Sequence, residues 1–214
     1  LLLKQEAERL GVEFHFNTPI QPLSRATPTL LQTSQRSEKF DAVVVCAGLG
    51  GTDLVKTLGL KLPSIGLQGY TLSAAVREPI DAPKGGIVDD RYKVSISRLG
   101  QRVRLSGGHE LGQHPTHLAA SLKTLYQVLE DWFPGAARTQ DHVQAWKGRY
   151  PMLPDGLPII GASGTSGVWL NLGHANHGWA LASGSARLLA DTLSGRKPEI
   201  DMQGLGLERL HIGR

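Results

Sequence analysis

Residues 156–186 read GLPIIGASGTSGVWLNLGHANHGWALASGSA and contain no Asp, Glu, Lys or Arg, in a chain whose charged content is 20%. Asn, His, Ser and Gly residues interrupt the apolar ones, so the stretch is too polar for a membrane-spanning helix, which needs roughly 20 mostly apolar residues. A long uncharged segment of this kind is typical of a buried part of the fold that a backbone or a ligand approaches closely. We therefore expect the rest of the chain to be organised around it.

Within this stretch the pattern predicts a strand at residues 167–172, a turn at residues 173–177 and a helix at residues 178–193. The first half of the helix consists mainly of Gly, Ala and Ser, which allow close approach, and its second half is amphipathic. A helix that starts among glycines presents unpaired backbone N–H groups and the positive end of its dipole to a negatively charged group. Small residues also permit tight packing of a helix on a sheet, so both interpretations stay open at this stage.

The segment FDAVVVCAG at residues 40–48 is a continuous apolar run that ends in Ala-Gly. Such a run is typical of a central parallel strand covered on both faces, and it predicts a nucleotide-binding sheet. The dinucleotide fingerprint G-x-G-x-x-G is absent, because Asp53 stands where the third glycine would follow Gly48 and Gly50. Further strands are expected at residues 12–17 and within residues 23–39.

The middle of the chain has a different character, with the β-branched alternation of antiparallel strands. Strands are predicted at residues 69–76, 92–98 and 102–105, with a hairpin at residues 99–101. A helix is expected at residues 116–133, after Pro115, and another strand at residues 143–147.

The predicted fold is therefore α/β, or α+β overall. We expect a partial, discontinuous Rossmann-like FAD/NAD(P)-binding domain at residues 1–62 and 152–198, lacking its N-terminal half. An antiparallel β substrate domain with one helix is inserted at residues 63–151, and a loose tail follows at residues 199–214.

Composition excludes some classes of protein. The net charge is +4 with 23 Lys and Arg, but these residues are scattered, whereas a nucleic-acid surface shows a concentrated stripe. Cys46 lies in an apolar run and is expected to be a buried structural thiol. Without a secretory leader, a cytoplasmic location is the default expectation. The first residues read as the middle of a helix, which suggests a fragment of a longer protein.

Two motifs carry a resemblance to a known family. These are WKGRYPMLPDGLPIIG at residues 146–161 and GHANHGWALASG at residues 173–184. They closely resemble the C-terminal signature of the FAD-dependent D-amino-acid oxidase family, nearest to its bacterial D-amino-acid dehydrogenase branch (small subunit). The resemblance extends over nearly the whole chain.

The resemblance implies FAD as the cofactor and suggests which residues hold it. Ile20 corresponds to the strand end that meets the adenine, and Ala47 and Gly48 to the strand end that passes the ADP ribose. The flavin-facing residues would be Gly173, His174, Ala175, Asn176, His177, Gly178 and Trp179. The start of the predicted helix is suited to stabilise the negative charge that forms near N1 and O2 of a reduced flavin.

The substrate residues depart from the family pattern. Members read W-x-G-x-R-P, whose Arg holds the substrate carboxylate as a bidentate partner, whereas here Tyr150 occupies that position and Arg149 precedes it. Adjacent residues of a strand face opposite ways, so Arg149 replaces the missing Arg only if the backbone bulges. Otherwise the Tyr150 hydroxyl acts with another cation, or the substrate is an unusual amine. Tyr70 is either a third pocket residue or an ordinary half-buried sheet tyrosine.

The function implied is oxidation of a D-amino acid to an imino acid, which hydrolyses to a 2-oxo acid and ammonia. No side chain is assigned a catalytic role. A glycine, sarcosine or other amine oxidase is the alternative within the family, and a non-catalytic remnant, or a subunit that needs a partner for its nucleotide-binding half, is the alternative outside it.

The implied partners are the amino acid or amine and an electron acceptor, either oxygen or a quinone of the respiratory chain. The second acceptor would bring peripheral contact with the inner membrane, and the chain on its own is expected to be inactive. His109, His114 and His117 do not have the spacing of a metal site, and no G-x-S-x-G elbow indicates a hydrolase.

Overall fold

The computed structural model describes residues 2–111 and 118–210, which form two separate β-sheets, a short hairpin and four α-helices. In chain order the elements are α1 (Leu2–Arg9), β1 (Leu30–Gln32), β2 (Ser37–Lys39), β3 (Val43–Val45), α2 (Gly51–Lys56), β4 (Ile65–Ala75), β5 (Ile87–Asp89), β6 (Val94–Leu99), β7 (Arg102–Leu111), α3 (Leu118–Trp132), β8 (Gln144–Met152), β9 (Ile159–Ala162), β10 (Val168–Leu172) and α4 (Gly178–Leu193).

The first sheet has three strands in the order β3-β10-β9. β3 and β10 are parallel, with Val43 opposite Val168, and β9 is antiparallel to β10. Val43 and Val45 point into a core that also holds Val55 of α2, Leu153 and Leu170, because alternate side chains of a strand share one face. The sheet therefore covers one face with its own core and leaves the other face of β3 open.

The second sheet has five antiparallel strands in the order β5-β6-β7-β4-β8. α3 packs on one face of it through Leu125, Val128 and Leu129, and together they bury Leu72 and Leu105 completely. Gly100, at a φ of 58°, turns the chain between β6 and β7, as the hairpin pattern predicts. The expected helix at residues 116–133 is confirmed from Leu118 onward, and its first two positions and Pro115 lie outside the described residues.

β8 connects the second sheet to the first. It pairs with β4 without a register shift, from Ile65 opposite Met152 to Ser73 opposite Gln144. Past its end, Leu153 enters the core of the three-stranded sheet, and an isolated bridge joins Met152 to His174. The residues after β10 are therefore held against the end of β8.

α4 follows β10, as predicted, but only its second half is packed. Leu188 and Leu189 are buried with Ile160 of β9, whereas the side chains of residues 179–184 are exposed. The small residues in the first half of α4 therefore do not serve packing within the described chain. This leaves the ligand-facing interpretation of these residues standing.

Two sequence expectations near the N-terminus are wrong. Residues 12–17 form no strand, because their backbone pairs with no neighbouring strand within the described chain; the rings of Phe14 and Phe16 instead stack on each other with centroids 6.0 Å apart. Cys46 is exposed, not buried, and Val44 is 38% exposed. The apolar run predicts a strand covered on both faces, but within residues 2–111 and 118–210 the side chains on the outer face of β3 stay exposed.

The tail is not loose over residues 199–210. Leu207 and Leu210 pack against the core of the three-stranded sheet, and the Ile160 N–H donates a hydrogen bond to the Leu205 carbonyl. Arg209 forms an ion pair with Asp155 at 2.7 Å and also donates to the Leu157 carbonyl. Sequence composition favours a flexible tail through its glycines, but three leucines and one arginine dock it.

In the described part of the chain, no helix combines the length and the apolar character needed to cross a membrane.

Candidate functional site

The carboxyl ends of β3 and β10 meet at one edge of the three-stranded sheet, because the two strands are parallel and in register. The chain leaves β3 through Ala47 into a 3-10 turn at Gly48–Gly50, and it leaves β10 through Gly173 into a second 3-10 turn at Ala175–His177. Ligands of α/β sheets bind outside the carboxyl ends of parallel strands. The structure therefore brings Ala47, Gly48 and the predicted loop at residues 173–177 to the edge where a cofactor is expected.

Gly173 holds the loop against the core. Its φ is 80°, and a Cβ at this position would lie 2.5 Å from Leu153 Cδ1 and 2.9 Å from Leu153 Cγ. Both the backbone angle and the close approach exclude a larger residue. Gly173 thereby sets the direction in which the chain leaves β10.

His174 follows Gly173 and has one ring nitrogen without a hydrogen-bond partner in the described chain. Its Nε2 is buried and has no hydrogen-bond partner within the parts of the chain that the structure describes, and burial lowers the pKa of the ring. A buried polar atom is normally paired. His174 is therefore a neutral ring whose Nε2 is free to meet a polar atom of a ligand.

The same burial makes stability depend on pH. The folded-state pKa values of His174 and His109 both lie below the ordinary 6.5, so below that pH the unfolded chain binds more protons than the folded chain. The free energy of unfolding should therefore be greatest at neutral pH and fall as the pH drops through about 6.5.

Denaturant unfolding at a series of pH values checks this prediction. We expect His174→Gln to reduce the change of the free energy of unfolding with pH, and His15→Gln, at an exposed position, to leave that change as it is. The carboxyl groups of Asp89, Asp155 and Asp191 have lowered pKa values and lose their contribution only in more acid solution. A stability that does not change between neutral pH and about pH 5 would contradict the prediction.

Ala175 sits in a backbone conformation that suits glycine. Its φ is 48°, where a side chain costs roughly 1–2 kcal/mol. Ala175→Gly removes this cost but increases the freedom of the unfolded chain, so we expect a net gain of up to about 1 kcal/mol in the free energy of unfolding. Ala186→Gly, in the exposed interior of α4, is the matched control and should lose about 1 kcal/mol. Equal losses in both variants would show that Ala175 is not strained.

α4 begins directly after this loop and presents an open, apolar surface. Trp179 is 96% exposed and Leu181 is also exposed, while the helix start has no side-chain cap. Across the edge, a Cβ on Gly48 or Gly50 would meet nothing within 4 Å. A flat, partly anionic cofactor such as a flavin would fit this surface. The surface offers the N–H groups of the helix start, the unpaired His174 Nε2, the open space at Gly48 and Gly50, and the exposed Trp179 ring.

Tyr150 and His109 form a second part of the site on the face of the five-stranded sheet that α3 does not cover. Their rings meet edge to face with centroids 6.1 Å apart, and each has an atom within 3.8 Å of a Cβ placed on Gly69. Because Gly69 has no side chain, it leaves space between the two polar rings. Burial raises the pKa of Tyr150 and lowers that of His109, so at neutral pH both offer a neutral hydrogen-bonding group.

The sequence predicts Tyr150 but not His109 as a site residue. His109 and Tyr150 lie on different strands, β7 and β8, which are separated in the sheet by β4. A register shift in the β4–β7 pairing occurs between Gln68 and Tyr70, and no sequence pattern predicts it. The one available signal is a titratable side chain next to glycines, at residues 107–109.

The other two predicted substrate residues are not beside Tyr150. Tyr70 is 1% exposed rather than half-buried, and its ring belongs to the core under α3, on the face of the sheet opposite Tyr150. Arg149 points into a separate cleft beside Gly66. Because β8 pairs regularly with β4, the bulge that would turn Arg149 toward the Tyr150 side is absent from β8.

Ile20 is half-buried in an irregular segment, and its neighbour Gln21 donates an N–H hydrogen bond of 2.8 Å to the Gln32 carbonyl of β1. The described contacts place it beside β1 and do not join it to the loop at residues 173–177.

Metal-binding clusters are absent from the described residues: residues 2–111 and 118–210 hold no group of three His, Cys, Asp or Glu side chains able to share an ion. His114 and His117 lie outside the described residues.

The parallel strand ends, the glycine turns and the exposed helix start are features that a flavin-dependent oxidoreductase would present to its cofactor. The family model described as "FAD dependent oxidoreductase" (DAO) matches residues 1–192, and the chain belongs to this family. FAD is therefore the cofactor that its family membership assigns to it. The chain is 39% identical over 215 residues to a D-amino acid dehydrogenase of Allorhizobium ampelinum, an alignment that covers 99% of this chain and 51% of that protein. It is 38% identical to a D-amino acid dehydrogenase of Cereibacter sphaeroides, and this alignment covers 95% of this chain and 47% of that protein.

Solved structures show the same fold. Glycine oxidase from Geobacillus kaustophilus superimposes with a TM-score of 0.84 at 20% identity, covering 97% of this chain and 56% of that one. An L-amino acid deaminase from Proteus vulgaris gives 0.75 at 22% identity, with 97% and 53% covered. The chain spans about half the length of the curated relatives it matches.

Proposed function

We propose that this chain forms the loop-bearing and substrate-binding part of a FAD-dependent dehydrogenase of D-amino acids. The observation that carries the proposal is the sequence identity of 36–39% to D-amino acid dehydrogenases, which extends over nearly the whole chain. A match of this length includes both the loop at residues 173–177 and the strands that carry Tyr150 and His109.

The cofactor lies, in this proposal, against Ala47, Gly48, residues 173–177, Gly178 and Trp179, with Ile20 at its adenine end. When bound, FAD accepts a hydride from the substrate carbon. The N–H groups at the start of α4 would stabilise negative charge on the reduced cofactor. His174 offers its unpaired Nε2 to a polar atom of the cofactor, and the exposed face of Trp179 excludes water by covering an apolar surface.

The substrate carboxylate is held between Tyr150 and His109, above Gly69. Hydrogen bonds between neutral donors and a carboxylate are charge-assisted and stronger than those between neutral groups. Such a bond also favours the protonated imidazole, which counteracts the effect of burial on the His109 pKa. His109 is thus our candidate for the hydrogen-bond donor that takes the place of the arginine of the resembled family.

The domain boundaries belong to the same proposal. Residues 1–62 and 152–198 are assigned to the FAD-binding domain and residues 63–151 to the substrate domain. The two buried clusters support this division, since one lies within residues 70–143 and the other combines residues 23–62 with residues from 153 onward. Residues 199–210 are added to the FAD-binding domain because they pack on its core.

A glycine, sarcosine or other secondary-amine oxidase is the second candidate. Tyr150 at the usual arginine position favours it, together with the fold similarity to glycine oxidase. The test compares D-alanine, L-alanine, glycine and sarcosine as reductants of bound flavin in the protein that carries this chain. Bleaching of the flavin absorbance by D-alanine alone supports the dehydrogenase, and preferential bleaching by glycine or sarcosine overturns it.

The alternative of a different class, a non-catalytic remnant or a subunit that depends on a partner, has its own test. The chain matches about half of each relative, and its sequence lacks the phosphate-binding fingerprint. Stoichiometric flavin absorbance in the purified 214-residue chain would argue against this alternative. Flavin binding only after a second polypeptide is added would support it.

The electron acceptor and the location complete the proposal. A quinone acceptor would place the protein in the cytoplasm with peripheral contact to the inner membrane, and an oxygen acceptor would require no membrane. Oxygen consumption compared with reduction of a soluble quinone analogue distinguishes the two acceptors.

A further inference from the structure

A cleft of about 480 Å³ lies between α2 and the adjoining ends of β4 and β8. Its lining combines apolar and polar groups: Leu49, Thr52, Asp53, Ser64, Ile65, Gly66, Leu111 and Arg149. The cleft therefore contains one cation, one carboxylate and two hydroxyl groups, in a space large enough for a small amino acid. It takes in neither Tyr150 nor any residue of the loop at residues 173–177.

Arg149 is available to a ligand there. In the described chain it takes part in no ion pair and no side-chain hydrogen bond, and it is exposed. Its guanidinium lies against Gly66, where a Cβ would come within 2.4 Å of Nη2 and 3.0 Å of Cζ. Only the absence of a side chain at position 66 allows the guanidinium to take this position.

Two further groups lack partners. Asp53 is exposed on α2 and, like Arg149, belongs to no ion pair within the described residues. The Ser64 Oγ is buried and has no hydrogen-bond partner in the structure of residues 2–111 and 118–210. A buried hydroxyl without a partner costs free energy unless a ligand or solvent satisfies it.

We propose that this cleft is a second binding site, for a small zwitterionic amino acid, distinct from the site on the Tyr150 face. Arg149 and the Ser64 hydroxyl bind the carboxylate, and Asp53 binds the ammonium group. A guanidinium suits a carboxylate because its planar fork donates two parallel hydrogen bonds. Opposite charges on the two walls select a zwitterion over a simple anion or cation.

This inference goes beyond the proposed function, because it assigns a binding site and no oxidation step, although Leu49 of the lining adjoins Gly48 at the edge proposed for FAD. The experiment therefore uses the 214-residue chain without added flavin. D-alanine is titrated into isotope-labelled protein, and binding is followed by NMR at the Arg149 Nε–H and the Gly66 backbone amide. The Arg149 signal is assigned by its absence in the Arg149→Gln variant, and flavin reduction is measured separately.

We expect saturable shifts at both signals. Arg149→Gln, followed at the Gly66 amide, should weaken D-alanine binding about tenfold or more, because a hydrogen bond to a charged group is lost. Gly66→Ala should weaken binding to a smaller extent by shifting the guanidinium, and its normal thermal unfolding would show that the fold is kept. Lys147→Gln, which removes another exposed cation from β8, is the matched control and should leave the affinity unchanged.

Acetate and ethylammonium test the claim of a zwitterion. Each carries only one of the two charges, so each should bind more weakly than D-alanine. Equal affinity for acetate and D-alanine would overturn the role of Asp53 and with it the proposal. An unchanged D-alanine affinity in both Arg149→Gln and Gly66→Ala would overturn it as well, whatever the flavin measurements show.

Discussion

Replacing Gly173 by alanine should lower the free energy of unfolding by about 3 kcal/mol, the largest stability effect that the site offers. Two costs combine at this position. An alanine at a φ of 80° is strained, and its methyl group would lie 2.5 Å from Leu153 Cδ1. Leu153 is 1% exposed and packed in the core, so it has little room to move.

Denaturant unfolding of the chain measures this effect. Gly184→Ala is the matched control, because Gly184 lies in α4 with nothing within 4 Å of an added Cβ. Alanine stabilises an exposed helix relative to glycine, so this variant should gain up to about 1 kcal/mol. A Gly173→Ala variant as stable as the original chain would show that the loop can leave Leu153 without loss, and that the geometry of the candidate site is not fixed by this contact.

The largest effect on activity is expected from the pair of rings above Gly69. In the protein that carries this chain, Tyr150→Phe removes the hydroxyl and His109→Ala removes the imidazole, whose ring centroid lies 6.1 Å from that of Tyr150. Each loss of a hydrogen bond to a carboxylate is worth about 1.5–3 kcal/mol, which corresponds to a factor of roughly ten to one hundred in kcat/KM for a D-amino acid. We expect the double variant to lose less than the product of the two factors, because the residues share one ligand group.

Steady-state kinetics over a range of D-alanine concentrations checks this prediction. Tyr126→Phe is the control, since Tyr126 packs against the core under α3, on the covered side of the same sheet. If the rings bind the carboxylate, KM rises in the Tyr150 and His109 variants and stays constant in the control. Unchanged kinetics in both single variants would remove this pair from the substrate site.

The sequence predicts most of the fold because its signals are local. The apolar strand before Ala47, the alternating strands of the second sheet and α4 are all found at the expected positions. Errors occur where structure depends on distant partners. The run Val43–Val45 reads as a covered strand, but whether Cys46 is buried depends on what lies across its outer face. Residues 12–17 have the alternation of a strand without a partner to pair with.

The candidate site was predictable in part, for the same reason. The glycines of the loop and the unusual Tyr150 are visible in the sequence, and Ala175 can be recognised as a deviation from a glycine-rich pattern. The sequence does not show that Arg149, Tyr150 and Tyr70 lie apart, because their separation depends on strand register and on which face of the sheet α3 covers. Strand alternation predicts that Arg149 and Tyr150 diverge, but it does not predict that His109 meets Tyr150.

The docked tail has a consequence for the order in which the protein folds during synthesis. All side chains of the core under α3 come from residues 70–143, so this sheet can condense while the ribosome is still adding residues. The core of the three-stranded sheet combines Leu23 and Val43 with Leu207 and Leu210, which are separated by more than half of the chain. Its completion has to wait until those last leucines have left the ribosome, and until then the nascent chain exposes the apolar surface that they cover.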